Sequence, residues 1–308
     1  MRICITGGSG FLGSWTASLL AQKHQVTLIG RPGSDFWRMG GNKAIRVITV
    51  DPEKWSEVIN KEKPDSLILM HWSGVENHLR NEKLQFQNVL MHTNLINGIN
   101  VDLKLVCLGS QAELGPCSGS IVEGQTGVPT TLYGKAKSEL RDFIIENSLG
   151  FKNVSWARVF STYGNQDNST WFLPTLIRAL LAGRHFEMTA GEQDWSYLHV
   201  LDAASAFQAI VEGDPSSKII NVGNPRTQKI RDLALMVGRE IGATELIKFG
   251  AIAYREDQVM ELRPDVGTLS QLNWRPKIQI QEGIRSLISE FSGGSVNQQA
   301  QVQNYLKV

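Results

Sequence analysis

ITGGSGFLG, residues 5–13, closes a short β-branched run at Arg2–Thr6 and opens a pattern that reads as a helix over Phe11–Lys23. Between a strand and a helix, its three glycines have distinct tasks. Gly7 permits a tight turn, Gly10 lets backbone approach a pyrophosphate, and Gly13 lets the helix pack on the strand. The N–H groups at the start of the helix, from Phe11 and Leu12 onward, would receive the anion. Three glycines alone would be an ordinary turn; their place between strand and helix makes them a candidate dinucleotide cradle.

Working outward, a second strand is read at Gln25–Ile29, a third at Ile45–Val50, a fourth at Ser66–Met70, a fifth at Leu103–Leu108 and a sixth at Val154–Phe160. The longest helical patterns are Glu82–Gly98 and Tyr133–Ser148. Such alternation predicts an α/β fold, a parallel sheet with helices on both faces. The second half is less regular. Helices are read at Trp171–Ala182, Asp202–Glu212, Lys229–Ile241 and Gln281–Phe291, with strands at Trp195–Val200 and Lys218–Val222. The polar, Gln/Asn-rich segment after Ser292 is expected to be mobile or to pack against a partner subunit.

A dinucleotide site reveals its cofactor after the second strand. NAD sites usually offer the ribose hydroxyls a carboxylate there; this chain has Gly30 and Arg31. An arginine without an acid suits a 2′-phosphate, so NADP(H) is expected ahead of NAD(H), with Arg38 near enough in sequence to help.

The bulk composition narrows the alternatives. A formal net charge of +1 over 308 residues gives no reason to expect nucleic acid or a membrane surface as partner. Three cysteines, Cys4, Cys107 and Cys117, form neither a disulfide framework nor a zinc site. The six histidines show no metal-ligand spacing, and no metal is expected. With no long apolar segment and no basic, signal-like start, a cytoplasmic protein is expected.

Tyr133 and Lys137, in YGKAK, stand four apart and share a helix face. A free tyrosine titrates near pH 10, too high to work at neutrality, but an adjacent ammonium stabilises its phenolate. The phenol can then give or take the proton that accompanies hydride movement. Ser110, in GSQAELG after the fifth strand, is the candidate that orients a carbonyl or hydroxyl beside it. Alone, each of these is commonplace: a helix-face pair and a turn serine.

Together with TGGSGFLG they carry a resemblance to the extended short-chain dehydrogenase/reductases, the NAD(P)-dependent sugar epimerase/dehydratase family. The resemblance runs through VITVDPEKW (47–55), HWSG (71–74), ARVFSTYG (157–164), WSYLHVLDAASAF (195–207), VGNP (222–225) and RPDVGTLSQLNWRP (263–276). It implies a doubly wound Rossmann sheet with a smaller C-terminal substrate domain. The NADP-binding part would be 1–166 with 195–225 and the substrate part 167–194 with 226–292, followed by the polar tail 293–308. It further implies cofactor contacts at Asp51, Trp72, Ser73 and Phe160, besides Tyr133 and Lys137, and substrate contacts at Ser110, Gln111 and Ser161. A nucleotide sugar would lie between the domains, and the helices near 82–98 and 133–148 would build a homodimer.

Departures from the family pattern sharpen this. Its dehydratases carry an Asp-Glu pair after the serine position, where this chain has Gln111 and Ala112, so dehydration lacks its acid and base. Glu113, one position on, is expected to face elsewhere. Trp195 stands where many epimerases place an arginine towards the diphosphate, and Arg255 aligns with another such arginine. The segments GSQAE and RPGSDFWR resemble the nucleotide-sugar 4-ketoreductases, of the CDP-paratose and CDP-abequose synthase kind. NADPH-dependent reduction of a nucleotide-linked 4-keto-6-deoxyhexose is therefore the first expectation. Epimerisation with the same Ser/Tyr/Lys set is the second, and a catalytically silent NADP-sensing regulator the third.

Overall fold

A computed structural model describes residues 1–256 and 258–307. Along the first half run β1 (Arg2–Thr6), α1 (Phe11–Leu20), β2 (Gln25–Gly30), β3 (Ile45–Thr49), α2 (Trp55–Glu62), β4 (Ser66–Leu69), α3 (Leu84–Asn97), β5 (Lys104–Ser110), β6 (Ser120–Ile121), α4 (Leu132–Glu146), β7 (Asn153–Val159) and β8 (Ser161–Tyr163). The second half adds α5 (Phe172–Leu181), β9 (Phe186–Met188), β10 (Asp194–Trp195), β11 (Tyr197–His199), α6 (Val200–Glu212), β12 (Ile219–Val222), β13 (Gln228–Lys229) and α7 (Ile230–Ile241). It ends with β14 (Ile247–Phe249), β15 (Glu261–Pro264), α8 (Gly267–Gln271), α9 (Ile280–Phe291) and α10 (Gln298–Lys307).

Seven strands form one parallel sheet in the order β12-β7-β5-β4-β1-β2-β3. The fold is thus the expected α/β Rossmann type. Helices cover both faces, which is why β4 and β5 read as nearly unbroken apolar runs rather than alternating ones. On one face Ile3, Ile5, Val26 and Leu28 pack against Ala203, Phe207 and Ile210 of α6. On the other, Cys4, Leu67, Leu69, Leu105 and Cys107 meet Trp55, Val89, Leu95, Ala136 and Leu140 of α2, α3 and α4. The chain leaves β1 towards β2 and β3, then returns to β4 on the other side. The topological switch therefore lies between β1 and β4, where a sheet of this type opens a crevice beyond its carboxyl ends.

A separate apolar cluster gathers Leu173, Leu176, Ile177, Leu233, Val237, Ile284 and Leu287 from α5, α7 and α9. Two sequence expectations are corrected nearby. Trp195–Val200 is not one strand. Ser196 is fully buried and its Oγ accepts the Asn224 N–H at 2.9 Å, turning the chain between two sheets. β10 pairs with β13 and β15, whereas β11 pairs with β8. The polar tail, too, is not loose: α10 lies on α1, burying Gln298, Val302 and Tyr305. Tyr305 donates to Asp202 Oδ1 at 2.8 Å, and Ser18 Oγ donates to Gln298 Oε1 at 2.7 Å.

Candidate active site

The glycine turn sits at the switch point. Gly7 has φ of +74°, and a Cβ on it would lie 2.5 Å from the His71 nitrogen and the Met70 carbonyl carbon. A side chain at Gly13 would reach within 2.2 Å of the Gly7 oxygen. Both glycines are thus required by contact with backbone that cannot move aside. Gly10 precedes α1 in extended conformation and supplies no side-chain cap. The first-turn N–H groups of Phe11, Leu12 and Gly13 therefore need another acceptor, the task a diphosphate performs. The residues present fit a dinucleotide.

Arg31 is exposed at the end of β2 and reaches across to Ser73 Oγ at 3.5 Å, spanning the mouth of the crevice. Asp51 is exposed just after β3. Arg38 is used differently from the sequence expectation. It donates to Ser9 O and Gln166 O, both at 3.1 Å, and so fastens the glycine turn to the loop after β8 rather than reaching for a 2′-phosphate. The Phe160 side chain packs with Leu114, Ile121 and Leu262, leaving only its backbone for a cofactor.

Lys137 and Tyr133 are both buried on α4. Lys137 Nζ donates to Leu108 O at 2.7 Å and stands 3.7 Å above the Trp72 ring centre. Burial pushes its pKa down to about 7, although Glu113 pulls the other way. Burial raises the Tyr133 pKa, while a hydrogen bond from Ser110 and the Arg80 charge lower it. Ser110 Oγ also accepts the Ala112 N–H at 3.2 Å, so one hydroxyl caps the following turn and faces the phenol. Trp72 meets Tyr133 edge-on at 5.9 Å, stacks on His92 at 5.7 Å, and donates from Nε1 to Gln85 Oε1 at 2.8 Å. The structure thus brings Ser110, Tyr133, Lys137 and Trp72 together, with Ser73 next along the loop.

Neither histidine here can shuttle protons at neutrality. Burial holds the His71 pKa at about 4 and the His92 pKa at about 3. Among the described residues no cluster of three metal-ligating side chains occurs.

Glu113 does face elsewhere. It is fully buried, accepting from Arg158 Nε and Trp156 Nε1, each at 2.7 Å, and from Arg141 at 3.3 Å. With its oxygens taken up by two guanidinium groups and an indole, the side chain is turned away from the crevice. Gln111, partly exposed, opens the short helical turn 111–114. Ser161 accepts from Trp195 Nε1 at 2.7 Å, so these two substrate candidates form one polar contact between β8 and β10. Arg255 is exposed on the loop ahead of β15.

Two groups of residues escaped the sequence reading. Gln85 and Asn88 of α3 are buried and tie down the loop after β4: Asn88 bonds both backbone groups of Ser73, and Gln85 donates to Gly74 O and Leu79 O. Arg80 is the other. Its guanidinium lies 5.1 Å from the Tyr133 ring centre and 5.5 Å from that of Trp171. Nothing about one arginine in a polar stretch announces such a position.

Residues 3–223 match the NAD dependent epimerase/dehydratase family. The CDP-abequose synthase of Salmonella muenchen is 23% identical over 134 residues, which is 43% of this chain and 46%, about half, of that protein. The CDP-abequose synthase of Yersinia pseudotuberculosis is 25% identical over 84% of this chain and 91% of that protein. UDP-glucuronic acid decarboxylase 1 of Xenopus tropicalis is 23% identical over 94% and 72%, respectively. Among solved structures, UDP-N-acetylglucosamine 4-epimerase from Methanobrevibacter ruminantium superposes with a TM-score of 0.84 at 19% identity, covering 95% of this chain and 98% of that one. The UDP-glucose 4-epimerase of Thermus thermophilus, solved with NAD, gives 0.78 at 22% identity, covering 96% and 100%. At these identities the superpositions speak for the fold.

Proposed function

The chain belongs to the NAD-dependent epimerase/dehydratase family, and within it we propose an NADPH-dependent reductase of a nucleotide-linked 4-keto-6-deoxyhexose. The observation that carries the reading is the Ser110–Tyr133–Lys137 set beside a turn whose acid pair is replaced by Gln111 and Ala112, while Glu113 is bound by Arg158 and Arg141. The set can move a proton at a carbonyl oxygen; the turn beside it carries Gln111 and Ala112 in place of the acid and base that would eliminate water. Likeness to two CDP-abequose synthases supports the same reading.

When bound, the nicotinamide cofactor supplies the hydride. Ser110 orients the keto oxygen, Tyr133 delivers the proton, and Lys137 stabilises the phenolate left behind. Gly7, Gly10, Gly13 and the start of α1 would hold the diphosphate of the cofactor, with Asp51 and Ser73 along its groove. Ser161, Trp195 and Arg255 would border the nucleotide sugar. Arg31, standing where NAD sites usually have a carboxylate directly after β2, favours NADPH; the neighbour solved with NAD makes the two cofactors the first comparison to run.

Epimerisation is the second reading, since the same Ser110, Tyr133 and Lys137 could serve the abstraction and return of hydride. Incubation with nucleotide-linked 4-keto-6-deoxyhexoses separates them: the reductase consumes NADPH stoichiometrically, and the epimerase turns over without net consumption. Retention of biological function in Tyr133→Phe, with NADP still bound, would instead favour a cofactor sensor. A homodimer through α3 and α4 accords with the outward-facing Phe86 and Leu90 of α3, and light scattering tests it.

A further inference from the structure

We propose that Arg80 grips the diphosphate of the nucleotide-linked substrate, an inference that rests on the nucleotide-sugar reading above. Arg80 sits where three segments meet. Its carbonyl accepts the Tyr133 N–H at 2.8 Å, its Nε donates to Val75 O at 3.2 Å, and its guanidinium is bracketed by the rings of Tyr133 and Trp171. Tyr133 belongs to the sheet side of the cleft, while Trp171 precedes α5 on the other side.

A guanidinium held between aromatic rings loses little further freedom when it binds an anion, and such stacking does not use its in-plane donors. Nε is engaged, but the two terminal nitrogens form no hydrogen bond or ion pair with the described residues. That leaves up to four N–H groups for oxygens of a ligand. Among the described residues no carboxylate forms an ion pair with Arg80, and Glu113 is bound by Arg158, Arg141 and Trp156. The arginine that many relatives direct at a diphosphate is Trp195 in this chain, and its indole N–H is committed to Ser161. Arg80 brings a cation to the cleft from a different loop than Arg255, one joined by backbone to Tyr133 itself. Diphosphate binding and the seating of the proton donor are thereby carried by one residue.

The test is calorimetric titration of the intact protein with CDP, UDP, dTDP and the corresponding monophosphates, comparing wild type with Arg80→Met and Arg80→Lys. Loss of a charge-assisted contact should weaken the preferred nucleoside diphosphate by about 10- to 100-fold in Arg80→Met, with partial recovery in Arg80→Lys. The monophosphates should change much less, and with substrate KM should rise more than kcat falls. A circular dichroism melt checks folding, and Arg80→Lys answers the question if the methionine variant unfolds. Equal diphosphate affinity in wild type and variants overturns the proposal while leaving the proposed reaction intact. If wild type binds no nucleoside diphosphate, the nucleotide-sugar reading fails first and the role of Arg80 with it.

Discussion

Two buried cations lie close together beneath the cleft and are treated in opposite ways. Arg158 on β7 is fully buried and fully answered: Glu113 neutralises it, and Val122 O, Glu123 O, Gln125 O and Asn221 Oδ1 take its other donors. Lys137 on α4 is almost as buried, yet among the described residues it donates to one carbonyl and otherwise faces the rings of Trp72, Tyr133 and Trp156. The first site holds a loop and β7 together. The second keeps a proton loosely bound, near the pH at which the enzyme would work. A satisfied buried charge builds a scaffold, and an under-satisfied one is available for chemistry.

The contrast breaks most severely at its satisfied end. Glu113→Ala leaves the buried Arg158 charge without its counter-ion, while Arg141 keeps Asp142, and equilibrium unfolding in urea should show a loss of about 3–5 kcal/mol. Tyr133→Phe should leave the melting curve nearly unchanged and slow carbonyl reduction by roughly 10²–10³-fold, measured by NADPH oxidation. Lys137→Met should be inactive yet more stable than wild type by about 0.5–2 kcal/mol at neutral pH. The sign follows from proton binding. The fold lowers the lysine pKa from 10.5 to about 7, so the unfolded chain binds more protons between those values. The penalty on folding is complete below about pH 7 and is relieved as pH rises towards 10.5, so the gain in Lys137→Met should shrink over that window. Smallest and sharpest is Trp72→Leu. Without the indole face the ammonium loses a stabilising contact, and NMR titration of 13C-labelled lysine in the cofactor-free protein should find the Lys137 midpoint below its wild-type value. An unmoved midpoint would mean that the 3.7 Å contact is packing alone.

How legible each part was in the sequence follows the same division. The cradle and the Tyr133–Lys137 pair depend on local geometry, a strand–turn–helix and an i,i+4 spacing, and such spacings can be read directly. Ser110 follows from its place at the end of a strand. The Glu113–Arg158–Arg141 cluster joins residues up to 45 positions apart on three elements, and only the register of β5 against β7 brings them into contact. Arg80 and Trp171 meet across a cleft, which no local pattern encodes. The break at Ser196 was hidden because both short strands alternate like one longer strand. The final helix did leave a trace. Gln298, Val302 and Tyr305 have the spacing of a single helix face, obscured because its first member is polar and composition alone suggested a loose tail.

That helix also imposes an order in time. α1, which begins at the phosphate turn, leaves the ribosome well before one of its flanks is covered, because the covering residues lie some 280 positions further along the chain (Ser18 to Gln298). Trp15 and Leu19 share a cluster with Val302 and Tyr305. At roughly 5–20 residues per second, tens of seconds separate the two. For that interval the nascent chain carries a phosphate turn on an unfinished support, and the cradle is completed only when the helix at Gln298–Lys307 closes over it.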